Sequence, residues 1–415
     1  MTRQAFRKRI VYRFALFVFT ACLSKLLMPE PEKLCTKDPL IFGNLDPCQC
    51  FSENYMEARS RFRSAAKIIN AELFSFNVFQ NYTMDMALIQ GDKRGLVVHT
   101  SGVHGVEGYA GSAIQIAYLL QVKEMQEKAP SLPSILFIHS VNPYGMANFK
   151  RVNENNVDLN RNGLHDFANV LNREANIAFY VDFDHLMNPL KPFRYGFFGN
   201  LLPSLLQHGL LKLKKAMVTG QYYKSDGIFY GGHELQASNA ILFDFTENFL
   251  KNQRGSNSDI ENAEKTCHAD YNITWIDVHT GLGRSGVDTL LQVGNEKSGE
   301  FQKMEDVFQG ASIPNTGSGG DDVQNGYELV RGTTEELLAP LLTEPHHWHI
   351  TQEFGTKPNI LVGRALILEN AFHRNSTEGQ SLLRSAFYPR TSRWRKAILI
   401  RGLTLLQQAI ERRYT

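Results

Sequence analysis

Neither sign of charge is in excess here: 44 lysines and arginines face 42 acidic residues over 415 positions, a formal net charge of +2. Without a basic surplus there is no electrostatic case for a nucleic-acid partner. Cysteine is scarce, five residues in all, too few for a disulfide scaffold. A chain of this length, 43% hydrophobic, can bury its core without one. Internal repeats and coiled-coil heptads are missing, and after residue 28 no apolar run reaches the ~20 residues of a membrane-spanning helix.

Acidic residues are also missing before Glu30, while Arg3, Arg7, Lys8, Arg9 and Arg13 crowd the start. The apolar run Phe14 to Cys22 follows them, so residues 1–28 read as a targeting segment. A secretory signal or signal anchor fits best, placing the protein in the secretory pathway or outside the cell; arginine-rich mitochondrial peptides share the composition. Any membrane contact is expected through this segment alone. Cys35, Cys48, Cys50 and Cys267 suit disulfides in an oxidising compartment and equally suit free thiols. Asn81, Asn272 and Asn375 each begin an N-x-S/T sequon, weak support for secretion.

Residues 29–50, rich in proline, aspartate and cysteine, form a linker or brace. The body spans 51–415, with helical spacing from Glu53 to Asn70 and an amphipathic closing helix from Arg393 to Tyr414. Between them β-rich runs alternate with helical segments: Gly95–Thr100, Ser134–Ser140, Thr274–Thr280, Thr289–Val293 and Trp348–Phe354. This predicts a single α/β/α domain around a mixed, mostly parallel sheet, with function at the carboxyl ends of strands. Asn188–Gly232 and the glycine-rich Ser312–Asp322 break the alternation and read as loops over a site or as surface insertions.

The run GLVVHT leads into SGVHGVEG, which sets His104 and Glu107 in a glycine-rich turn between strand and helix. WIDVHTGLG delivers His279 at another strand end, with Asp277 two residues earlier. Two imidazoles and one carboxylate are a ligand set of catalytic zinc, which keeps a fourth position open. Hydrolysis then needs a base to take a proton from the activated water, and Glu353 in HITQEFGT stands at a further strand end. After SILFIHS, the segment NPYGMANFKRVNENNVDLNRN gathers Arg151, Asp158, Asn160 and Arg161. Arg161, with Asn160 beside it, suits a substrate carboxylate, and Arg151 suits the oxyanion of a tetrahedral intermediate. His346, His347 and His349 read as ordinary strand-start residues rather than a second metal site.

Taken in order, H-x-x-E after a strand, N-P…R…D-L-N-R, a later strand ending in His and a C-terminal E-x-G resemble the zinc carboxypeptidase superfamily over about Gly95 to Gly355. SGVHGVEGYAGSAIQ, RVNENNVDLNRN, GQYY with FYGG, IDVHTGLG and QEFGT most resemble a largely uncharacterised branch near succinylglutamate desuccinylase and aspartoacylase. The resemblance implies one zinc on His104, Glu107 and His279, Glu353 as catalytic glutamate, Arg151 on the oxyanion, and Asn160 with Arg161 on a substrate carboxylate. It implies a peptide or an N-acyl amino acid as substrate: carboxypeptidase-like amide cleavage, with aspartoacylase-type deacylation or a non-catalytic binding protein as alternatives. The long interval between Glu107 and His279 leaves room for an insertion around 188–240. Within it and beyond, Tyr222, Tyr223, Tyr230 and Tyr327 are candidates for a tyrosine that closes over substrate.

Overall fold

Apolar runs too continuous to alternate belong to strands covered on both faces, and they form the middle of the sheet. The computed structural model describes residues 45–126, 132–173, 177–192, 196–255, 272–291, 298–313, 330–342, 347–372 and 376–412. The proposed targeting segment, Cys35, Cys267, His346, Asn375, Tyr327 and most of the glycine-rich run lie outside these residues. The strands are β1 (Glu72–Phe79), β2 (Tyr82–Ile89), β3 (Asp92–Ser101), β4 (Pro133–His139), β5 (Asn272–Gly281), β6 (Asp288–Leu291) and β7 (His347–Gly355). They form one sheet in the order β1-β2-β4-β3-β5-β7-β6. β4, β3, β5 and β7 are parallel, whereas β1, β2 and β6 pair antiparallel at the two sides. β4 and β5 are buried throughout.

Helices cover both faces. Tyr55–Ile68 and Ser392–Glu411 flank Gly108–Gln126 on one face, in a core that includes Phe62, Ile114, Phe137, Ile398 and Leu405. Asn54 caps the first of these through its side chain, which accepts from Glu57 N at 3.0 Å. Thr391 caps the last, whose buried Trp394, Ile398, Leu399, Leu405, Leu406 and Ala409 recur at helical spacing. Ala237–Gly255 and Thr334–Leu338 pack on the opposite face with Leu242, Trp275 and Leu338.

The interval expected as loop, Asn188–Gly232, follows the short helix Asp184–Met187 and contains helices Gly196–His208 and Leu210–Thr219 before an irregular stretch to Gly232. Pro203 and Gly209 hid them from the sequence pattern, because both punctuate a helical reading. Their buried residues Leu186, Met187, Phe197, Leu201, Leu213 and Ala216 join Phe229 and the helices Asn359–Ala371 and Thr377–Phe387 in a third apolar cluster. Val106, lying between His104 and Glu107, belongs to that cluster. No described helix is long and apolar enough to cross a membrane.

Candidate metal centre

β3, β5 and β7 end at the same edge of the sheet, and each delivers part of one cluster. After β3 the chain turns through His104 into a short helix holding Glu107. Gly105 makes that turn feasible, since a Cβ there would come within 2.1 Å of the Gly145 carbonyl carbon. The turn is held on the segment after β4: Gly105 N donates to Arg151 O at 3.1 Å and Val106 N to Lys150 O at 2.8 Å. β5 brings His279 to its end, and β7 places Glu353 opposite His279 in the parallel register.

His104, Glu107 and His279 converge, with one ligand atom from each lying within 4.8 Å of the others. His104 Nδ1 is 3.0 Å from His279 Nδ1 and 3.0 Å from Glu107 Oε1, and His279 Nδ1 is 3.3 Å from Glu107 Oε2. A tetrahedron with bonds of ~2.0–2.1 Å has edges of about 3.3 Å, so these separations fit zinc closely. The far nitrogens are also held: His104 Nε2 meets Asp158 Oδ1 at 3.1 Å and His279 Nε2 meets Asp277 Oδ2 at 3.1 Å. Carboxylates there fix the tautomer that turns each Nδ1 lone pair toward a metal. Asp277 is held in turn by Thr100 Oγ1, which donates to its Oδ1 at 2.8 Å from the facing position of β3.

Charge supports the same reading. Glu107, Asp158 and Asp277 are buried carboxylates, and Arg151 is the cation that bridges two of them. These four groups alone sum to −2, a charge that a divalent ion would offset; buried charges need such partners. In the metal-free protein burial disfavours the His279 cation, yet Asp277 and Glu107 outweigh it and raise the imidazole well above its ordinary value. Burial would raise the Glu107 carboxyl, but His104 and His279 bring it well below the ordinary range. A proton on His279 thus stands in for part of the charge that a metal would bring.

Glu353 differs from these. Burial and then the Glu107 charge push its carboxyl up to about 7. Its Oε1 accepts from Leu282 N at 2.8 Å. Gly281, at φ +145°, gives this turn its shape: a Cβ there would stand 3.0 Å from the Phe387 ring and 3.6 Å from Glu353 Oε1.

A family model described as "Protein of unknown function (DUF2817)" matches residues 51–401. The chain belongs to the DUF2817 family. No curated protein matches it. Among solved structures, bovine thrombin-activatable fibrinolysis inhibitor, in complex with tick carboxypeptidase inhibitor, is 12% identical, with 82% of this chain and 97% of that chain covered and a TM-score of 0.45. Carboxypeptidase A from Helicoverpa armigera is 13% identical, with 82% of this chain and 75% of that chain covered and a TM-score of 0.40.

In this DUF2817 protein the remaining candidates have structural partners. Arg151 Nε donates to Asp158 Oδ2 at 2.9 Å and Nη1 to Glu107 Oε1 at 3.2 Å, with Phe229 5.3 Å beneath the guanidinium. Asn160 Oδ1 accepts from Thr334 N at 3.0 Å. Arg161 is buried, its Nε and Nη2 on Val218 O and its Nη1 on Asn160 O at 2.6 Å. It therefore ties the end of helix Leu210–Thr219 to the turn at residues 159–161. Tyr222 donates its hydroxyl to Arg161 O at 2.6 Å, Tyr230 meets His233 Nδ1 at 3.1 Å, and Tyr223 is exposed. His349 stacks on Trp275 at 5.9 Å, and burial lowers its ring to about 3. His104, Glu107 and His279 are the one potential metal cluster among the described residues.

Sequence reasoning assigned no role to Asp158 or Asp277. The spacing D-x-H carried a signal for the second, because residues two apart on a strand share a face. Cys48 is disulfide-bonded and Cys50 is a buried free thiol.

Proposed function

We propose that this protein is a zinc-dependent amide hydrolase whose substrate carries a carboxylate. The observation that carries the reading is the convergence of His104 Nδ1, His279 Nδ1 and Glu107, with Asp158 and Asp277 behind the two rings. Held by His104, Glu107 and His279, zinc would supply Lewis acidity toward a carbonyl and toward water. Glu353 takes the proton of the attacking water on Oε2, since Oε1 is engaged by Leu282 N. It returns that proton to the leaving nitrogen, a task suited to a carboxyl that titrates close to neutrality. Arg151, fixed by Asp158 and Glu107, keeps positive charge beside the carbonyl oxygen as it becomes an oxyanion. Asn160 and Arg161 receive the substrate carboxylate, with Arg161 preorganised by its backbone contacts.

Carboxypeptidase-like cleavage of a peptide is one form of this chemistry. Deacylation of a small N-acyl amino acid is the second, and burial favours it: no more than 7% of His104, Glu107, His279 or Glu353 is exposed. We propose a secretory-pathway location; the Cys48 disulfide, a bond that persists in oxidising compartments, supports it.

The test is hydrolysis of a panel of peptides and N-acyl amino acids by the zinc-loaded protein. Turnover of N-acyl amino acids without peptides selects deacylation, and the reverse selects peptidase. Tight binding with no turnover of any member would make the protein a binding module and end the hydrolase reading.

A further inference from the structure

The helices of the insertion are apolar on two sides. Phe197, Leu201, Leu213 and Ala216 face inward, into the cluster that holds Val106. Leu202, Leu206, Leu210 and Leu211 lie on the outside, 61%, 81%, 70% and 55% exposed, and Leu190 just before them is 93% exposed. Leu202 and Leu206 are four apart on one helix and share a face; Leu210 and Leu211 begin the next helix straight after Gly209, at φ +82°. Scattered exposed leucines need no explanation, whereas a cluster of this kind marks an interaction surface.

Charge identifies what would cover it. From residue 185 to residue 225 the sequence holds no acidic residue, but it contains Lys191, Arg194, Lys212, Lys214, Lys215 and Lys224. Lys224 pairs with Asp184, just outside the stretch, and the exposed Lys191 and Lys212 stand next to Leu190 and Leu211. In a chain whose overall charge is close to balanced, this segregation is local. Leucines fringed by lysine, in a stretch of sequence without an acid, match an anionic lipid surface, where apolar side chains enter the headgroup boundary and lysines meet lipid charge. A second copy of the same chain would bring like charge against like charge.

We propose that Leu190, Leu202, Leu206, Leu210 and Leu211 form a docking surface by which the insertion lies on an anionic membrane. The surface dips into the interface and spans nothing. It would bring the bilayer to the outer side of helices whose inner side joins the apolar cluster that holds Val106. The docking inference does not depend on the hydrolase reading.

The experiment is co-sedimentation of the full-length protein with vesicles of phosphatidylcholine and phosphatidylserine, against vesicles of phosphatidylcholine alone. Binding is expected to the anionic vesicles, to weaken with salt, and to fall roughly tenfold or more in Leu206→Glu/Leu210→Glu. Because the N-terminal segment is itself basic and apolar, an environment-sensitive fluorophore is also placed at Leu206→Cys and, as reference, at Met56→Cys on another face. A blue shift on anionic vesicles at position 206 alone is the expected result. Undiminished binding of the double glutamate variant, with no shift at position 206, would overturn the proposal. So would a variant that merely dissociates a dimer, which would give the surface to a second copy. Zinc content and the thermal transition of the variant should match wild type, which separates loss of docking from loss of the fold or metal centre.

Discussion

His279 and Glu353 face each other in register across the parallel strands β5 and β7, side chains on one face of the sheet. One is bound into the carboxylate cluster through Asp277 and Glu107 while the other keeps a carboxyl that titrates near neutrality. The two positions thus divide metal binding from proton transfer, and substitutions should separate the functions. Glu353→Gln is expected to retain one equivalent of zinc and lose amide hydrolysis by about 100-fold or more, read by metal analysis and steady-state rates.

Asp277 acts through His279. Asp277→Asn replaces an acceptor that fixes the ring tautomer with an amide that need not, and zinc affinity should fall ~10–100-fold while the fold persists. Competition with a chromogenic chelator measures the affinity, and circular dichroism checks the fold. Unchanged affinity would mean that the 3.1 Å contact does not orient the ligand.

Metal binding should expel a proton. His279 is raised well above its ordinary value by Asp277 and Glu107 against the opposing effect of burial, which favours the charged ring in the metal-free protein. Zinc takes a neutral imidazole, so binding at pH 7 should release about one proton and weaken as pH falls. Titration calorimetry in buffers of different ionisation enthalpy reads this number directly.

Away from the site, Asp85 is buried on β2 beneath Arg59, with Nε–Oδ2 at 2.6 Å, and is also paired with Arg63. Burial would raise this carboxyl, but hydrogen bonds from Ser75 and Arg59 and the Arg59 charge lower it. A carboxyl lowered on folding adds stability that is complete above its unfolded value of ~3.9 and is lost as pH falls through the folded value. Asp85→Asn should therefore cost roughly 3 kcal/mol at pH 7 in urea unfolding, and the difference should shrink toward zero as the pH is lowered through that window.

The parallel strands were legible because β3, β4, β5 and β7 read as short β-rich runs between helical segments, and the glycine turns after β3 and β5 marked where His104, Glu107 and His279 would emerge. The β1–β2 hairpin went unread: its turn, Gln80 and Asn81, contains no glycine although Gln80 sits at φ +50°. The insertion helices were masked by Pro203 and Gly209. Arg161 was legible by residue type, but its ties to the carbonyls of Asn160 and of Val218, 57 positions away in sequence, were not. Asp158 was visible as a charge, but nothing in the spacing joined it to His104, 54 positions earlier.

The most direct test is anomalous diffraction at the zinc edge from crystals of the zinc-loaded protein. A single peak ~2.0–2.1 Å from Nδ1 of both His104 and His279 and in bonding contact with Glu107 is the predicted result. A peak bound elsewhere, or zinc retained at full occupancy in His279→Ala, would contradict it.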